Sequence, residues 1–133
     1  MKNYVFDSYA IIAFYADEKG ADIVERALGE CIKGQAQGWM TVINWGEVFY
    51  AIAKVKGQKI ARQVIQDLER YPLLVVDANK DLTWGAAQFK AKYPIAYADC
   101  FALALAKQKG ASLLTGDPEF KKVKENVKII WLT

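Results

Sequence analysis

The chain has 133 residues, 53% of them apolar and 25% charged, with a net charge of +3 and no histidine. That length suits one domain with a sizeable core, and that composition excludes a disordered chain. The missing histidine excludes Ser-His-Asp and Cys-His catalysis and the common zinc enzymes, so any hydrolytic chemistry must run on carboxylates, hydroxyls, lysines or an oxygen-bound metal.

Short apolar runs alternate with longer helical stretches along the chain. Tyr4 to Phe6 predicts a strand ending at Asp7, Ser8 to Ala16 a short helix, and Ala21 to Lys33 a second helix with Ile23, Ala27, Leu28 and Cys31/Ile32 on one face. Trp39 to Val42 predicts a strand. Asn44 is placed to cap the next helix, with Glu47 three residues on as the acid of a capping box. That helix runs to about Lys56, Gly57 breaks it, and Lys59 to Tyr71 resumes the helical period until Pro72. Leu73 to Val76 predicts a strand, Lys80 to Tyr93 a helix stopped by Pro94, and Ala96 to Lys109 an apolar helix ended by Gly110. Ala111 to Leu114 predicts a strand, Thr115-Gly116-Asp117-Pro118 a turn into a short helix, and Val127 to Trp131 a last strand.

Strands alternating with helices predict an α/β fold, a mostly parallel sheet covered on both faces. Ligands of such sheets bind beyond the carboxyl ends of the strands. Asp7 follows the first strand and Asp117 the fourth, so both open on one sheet edge, and since adjacent strands lie about 4.8 Å apart the two carboxylates face each other if those strands pair. Cys31 and Cys100 have no zinc or redox spacing and read as buried, reduced thiols. No signal peptide or membrane-spanning run is visible, which predicts a cytoplasmic protein.

The pattern that bears on function is where charge is missing. Asp7 is the only charged residue between Lys2 and Asp17, Glu47 the only one between Lys33 and Lys54, and Asp99 the only one between Lys92 and Lys107. A carboxylate inside an apolar stretch needs a partner, and no basic neighbour in sequence supplies one. Asp99 shares a helical stripe with Ala102, Leu103 and Ala106, so it faces the sheet near the start of its helix. Taken singly, Asp7, Glu47, Asp99 and Asp117 each also read as helix caps or turn residues. Taken together at one edge, four acids either protonate or recruit a cation, and an all-oxygen set suits Mg²⁺ or Mn²⁺. Such a site serves phosphodiester hydrolysis, with Ser8 and Thr115 as hydroxyls that position water or phosphate, or act as turn and cap residues.

Four motifs carry a family resemblance: Val5-Phe6-Asp7-Ser8-Tyr9-Ala10-Ile11-Ile12, Asn44-Trp45-Gly46-Glu47, Tyr97-Ala98-Asp99-Cys100-Phe101-Ala102-Leu103-Ala104, and Leu113-Leu114-Thr115-Gly116-Asp117-Pro118-Glu119-Phe120. In order and spacing the chain resembles PIN-domain nucleases, and more narrowly the VapC-type toxins of prokaryotic toxin–antitoxin pairs. The resemblance implies a three-layer α/β/α sandwich in one PIN-like domain over residues 1–133. It implies a Mg²⁺- or Mn²⁺-dependent ribonuclease with Asp7, Glu47, Asp99 and Asp117 as its acidic quartet, the first and third as the main metal ligands. It also implies a cognate antitoxin and a homodimer. With four acids set aside at the site, a net +3 chain carries about +7 elsewhere, and Lys54, Lys121 and Lys122 lie in basic clusters suited to RNA phosphates or simply to solvent. The aromatic residues Trp39, Trp45, Phe49 and Tyr50 belong to the core or to a partner surface. Two alternatives stay open: an RNA-processing PIN nuclease that is no toxin, and a receiver-like Mg²⁺-binding phosphoacceptor with Asp77 as its acid.

Overall fold

A computed structural model describes residues 1–133. Five strands and six helices alternate as β1 (Lys2–Phe6), α1 (Ser8–Tyr15), α2 (Ala21–Ile32), β2 (Ala36–Thr41), α3 (Val42–Lys56), α4 (Gln58–Leu68), β3 (Leu73–Val76), α5 (Lys80–Lys92), α6 (Tyr97–Lys109), β4 (Ser112–Thr115) and β5 (Ile129–Trp131), with a 3₁₀ turn over Pro118–Lys122. The sheet order is β3-β2-β1-β4-β5. Every pairing is parallel, with Phe6 opposite Leu114 at the end of β1 and β4.

The strand period of two divides the interior into two layers. Val5 and Leu113 point into a core formed mainly with α5 and α6. Their neighbours Tyr4, Phe6 and Leu114 point into the opposite core with α1, α2, Val48 and Leu68. Helices thus cover both faces of the sheet, which is the three-layer arrangement a fully parallel sheet requires. Cys31 and Cys100 are buried free thiols, one in each core, as the spacing suggested.

Three local expectations are corrected. The helix after β2 is capped by Thr41, whose Oγ1 accepts from the Asn44 backbone N–H at 3.0 Å, and not by Asn44. Val42 is therefore the first helical residue and no part of the strand. On α2 the buried stripe is Val24, Ala27, Leu28 and Cys31, while Ile32 is 62% exposed and Ile23 half-buried. Helix α4 stops at Leu68 instead of Tyr71, and the released turn brings the Tyr71 ring edge-on to Phe14 at 5.9 Å. Gly110 adopts the left-handed conformation, φ 58°, that ends α6 as expected.

The receiver-like alternative fails on topology. Asp77 follows β3, which is an edge strand, and is itself exposed. No helix is long and apolar enough to cross a membrane.

Candidate active site

Because β1 and β4 are hydrogen-bonded neighbours, their C-terminal ends deliver Asp7 and the Thr115–Asp117 turn to the same edge of the sheet. Asp7 is the N-cap of α1: its Oδ1 accepts the Ala10 N–H at 2.8 Å. Cap geometry alone does not account for it, since Asp7 is only 2% exposed. Asp117 caps the 3₁₀ turn, accepting the Glu119 N–H at 2.9 Å, while its own N–H donates to Thr115 Oγ1 at 3.0 Å. Asp99 lies in the first turn of α6 and is 9% exposed, because the stripe of Ala102, Leu103 and Ala106 below it is turned into the core.

Glu47 is oriented by donors from two helices. Ser8 Oγ donates to its Oε1 at 3.0 Å and Asn44 Nδ2 to the same oxygen at 2.9 Å. Its Oε2 has one long contact, from the Tyr50 hydroxyl at 3.5 Å, and remains the oxygen with acceptor capacity to spare. Asn44 is fully buried, and its amide is fixed by Thr41. The Thr41 hydroxyl already accepts from the Asn44 N–H, so its proton goes to Asn44 Oδ1 at 2.9 Å, which turns Nδ2 toward Glu47 and the Ala98 carbonyl at 3.4 Å. One amide thereby ties the helix carrying Glu47 to the residue beside Asp99. Sequence reasoning took Asn44 for a cap and missed this role. The signal available was Thr41 three residues earlier, a better cap at the end of a strand.

The electrostatics show that the acids sense one another. Burial is the main cause that pushes the Asp7 carboxyl up to about 7; the Thr115 hydroxyl and the Ala10 N–H oppose it, and the carboxylates of Asp99 and Asp117 add to it. Burial likewise pushes Asp99 up to about 7, followed by the charges of Asp117, Glu47 and Glu119. Glu119 is thus a fifth acid at this edge that the sequence reading did not single out. No lysine or arginine pairs with Asp7, Glu47, Asp99 or Asp117; the ion pairs of the chain involve Glu30, Asp67, Glu119 and Glu125. Nor do three carboxylates converge into a ready-made cage.

The remaining predicted residues divide. Ser8 and Thr115 sit at the site, the first on Glu47 and the second between Asp7 and Asp117. Lys54 is exposed and lies over the Tyr50 ring at 5.3 Å from its centre, next to the site's Glu47 contact. Lys121 covers Trp131 at 5.7 Å, and Lys122 pairs with Glu119 at 3.2 Å, so both are engaged by protein groups.

The PIN domain family model matches residues 4–126 and so takes in all four acids. The chain belongs to the PIN domain family. Solved structures share the fold of this PIN domain at low identity. A DNA-bound VapBC from Salmonella typhimurium matches with a TM-score of 0.76 and 16% identity, covering 100% of both chains. VapBC2 from Rickettsia felis, bound to a fragment of its promoter, matches with a TM-score of 0.74 and 17% identity over 96% of this chain and 97% of that one. VapC20 of Mycobacterium tuberculosis, a toxin that cleaves the sarcin–ricin loop, matches with a TM-score of 0.68 and 14% identity over 90% and 93%. No curated protein sequence matches the PIN domain described here.

The Asn44 amide offers a direct check on this geometry. Asn44→Asp keeps the shape but replaces the Nδ2 donor by a second carboxylate oxygen against Glu47. We expect the folded state to lose about 3 kcal/mol at pH 8, read from urea denaturation. An unchanged urea midpoint would mean that the amide is not holding Glu47.

Proposed function

We propose that this PIN domain is a divalent-metal-dependent ribonuclease that hydrolyses RNA phosphodiester bonds with a metal-activated water, as the toxin of a type II toxin–antitoxin pair. One observation carries the reading. Two nearly buried carboxylates on different elements, Asp7 and Asp99, have no basic partner; the Asp99 charge adds to the cost of ionising Asp7, and those of Asp117 and Glu47 to the cost of ionising Asp99. A divalent cation is the economical way to stabilise such a pair.

In this reading Asp7 and Asp99 hold Mg²⁺ or Mn²⁺ directly, and Glu47 and Asp117 support it through their free oxygens. The ion, when bound, acidifies a water and neutralises charge on the phosphodiester. Ser8 and Asn44 keep Glu47 Oε1 engaged and leave Oε2 to orient the attacking water. Thr115 braces Asp7 on one side and the Asp117 backbone on the other. Lys54, exposed beside the site, is the best placed of the three candidate lysines to meet a phosphate, with Lys121 and Lys122 farther along the 3₁₀ turn.

The toxin assignment is supported by the shared fold with VapBC proteins of two bacteria. A second copy of the chain completes a homodimer in this proposal, and the compartment is the cytoplasm.

The test is metal removal. Purified protein incubated with tRNA and rRNA in Mg²⁺ or Mn²⁺ should cut them, EDTA should stop the cutting, and excess Mg²⁺ should restore it. Cutting that continues undiminished in EDTA would sink the proposal.

A further inference from the structure

The turn that carries Asp117 begins where the sheet stops holding the chain. The pairing of β1 with β4 ends at Phe6 and Leu114, and beyond it the Asp7 N–H donates to the Leu114 carbonyl at a long 3.5 Å. Thr115 is still anchored, its carbonyl by the Leu132 N–H at 3.0 Å and its hydroxyl by Asp7 and the Asp117 N–H. Gly116 and Asp117 lie past that anchor. The Glu119 N–H, donating to Asp117 Oδ1 at 2.9 Å, shapes the turn from within and does not set its distance from Asp7.

The ring of Tyr9 meets the turn there. Tyr9 lies in the first turn of α1, and its ring sits so close over Gly116 that a Cβ at that glycine would collide with it. Backbone conformation does not call for glycine at this position. The glycines with positive φ are Gly20, Gly34, Gly57 and Gly110, and Gly116 is not among them. Lack of space beneath the ring is therefore what excludes a side chain. The same helical turn also holds Asp7, the N-cap of α1, whose Oδ1 accepts the Ala10 N–H at 2.8 Å. One ring thus spans from the turn that fixes Asp7 to the turn that carries Asp117.

From this contact we propose that Tyr9 is a positioning residue of the site: its ring, wedged against the bare face of Gly116, sets how far the Asp117 carboxylate stands from Asp7. The inference rests on the metal-dependent reading above and deepens it. Tyr9 is 38% exposed, so its ring contributes less to the core than a buried aromatic does, and its place on the turn is what it has to offer. A magnesium-type site requires near-octahedral oxygens, so moving one carboxylate relative to another weakens the site even when both remain. Gly116 is the other half of the wedge. A side chain there either lifts the ring or pushes the turn away from α1.

The test takes the full chain and reads two quantities. One is Mn²⁺ affinity by titration calorimetry; the other is amide hydrogen exchange at Asp117 and Glu119 in the metal-free protein. Tyr9→Ala and Gly116→Ala should each weaken Mn²⁺ binding about tenfold and speed exchange at both amides. Tyr9→Phe keeps the ring and should stay within about twofold of the parent in both. The two changes break one contact, so Tyr9→Ala combined with Gly116→Ala should do no more than Tyr9→Ala alone. If Gly116→Ala does not fold, the double variant, whose ring is gone, must fold and melt near Tyr9→Ala; its failure to do so overturns the wedge. The proposal is also overturned if Gly116→Ala matches the parent in both readouts, because the ring then swings aside, or if the two losses add. A Tyr9→Phe loss as large as that of Tyr9→Ala overturns it too, by making the hydroxyl the working group. The two readings fail separately. A parent that binds no Mn²⁺ removes the metal, and the exchange rates of the same four variants then decide on the wedge. Mn²⁺ binding and RNA cutting that Tyr9→Ala leaves unchanged remove the wedge and keep the nuclease.

Discussion

Asp99→Asn and Asp7→Asn should each lower the proposed metal-dependent RNA cleavage by about 10³-fold, while the metal-free variants should melt no lower than the parent at pH 8. The activity loss follows from the metal's share of transition-state stabilisation. Several kcal/mol of charge neutralisation is at stake, and each 1.36 kcal/mol is a factor of ten. The stability half follows from burial. Asp7 and Asp99 are nearly inaccessible and lack a cation, so their ionised forms are costly in the folded chain. An amide has the same shape without the charge, and in Asp7→Asn the amide carbonyl would still accept the Ala10 N–H that Asp7 Oδ1 accepts at 2.8 Å. Single-turnover cleavage and calorimetric melting measure the two halves. A variant that cleaves within tenfold of the parent would remove that acid from the metal set, and one that unfolds would give it a structural role instead.

The second large effect is on pH. Without metal, stability should fall as pH rises from about 4 to about 8, and added Mg²⁺ or Mn²⁺ should recover it at the upper end. Asp7 and Asp99 titrate near 3.8 when unfolded and at about 7 when folded. Between those values the unfolded chain has released protons that the folded chain still holds, so the folded state binds more protons and each rise in pH favours unfolding. The contribution is complete below the unfolded value and is lost as pH passes through the folded one. A cation binds only the ionised acids, so its affinity should climb over the same range and its binding should release protons. Melting curves at pH 5 and pH 8, with and without Mn²⁺, test the linkage. A metal-free melting point that rises from pH 5 to pH 8 would show that other groups govern the acid range.

Much of the architecture could be read before any coordinates. Alternating apolar runs and helical periods placed all five strands, and the turn residues Gly57, Pro94, Gly110 and Pro118 marked breaks that the structure retains. These are local properties, written in periodicity and backbone restriction. The errors were at places where two local rules compete. Asn44 and Thr41 are both good cap residues, and the strand that ends at Thr41 decides between them. Ile23 and Ile32 flank the same helix face as Val24, and a shift of about one residue in the stripe exposes Ile32.

The acids were visible in sequence as lone charges in apolar stretches, because a core stretch tolerates a carboxylate only for a reason that outweighs its desolvation. Their neighbourhood was not visible. The parallel pairing of β1 with β4 puts Asp7 beside the Asp117 turn, and the packing of α3 on α6 lets Asn44 bridge Glu47 to Ala98. Glu119 joins the site through the same long-range packing. Residue types and spacing state which groups are costly to bury. Only the chain's return from distant segments settles which of those groups share one low-dielectric edge, because that depends on contacts between residues about 20 to 110 positions apart.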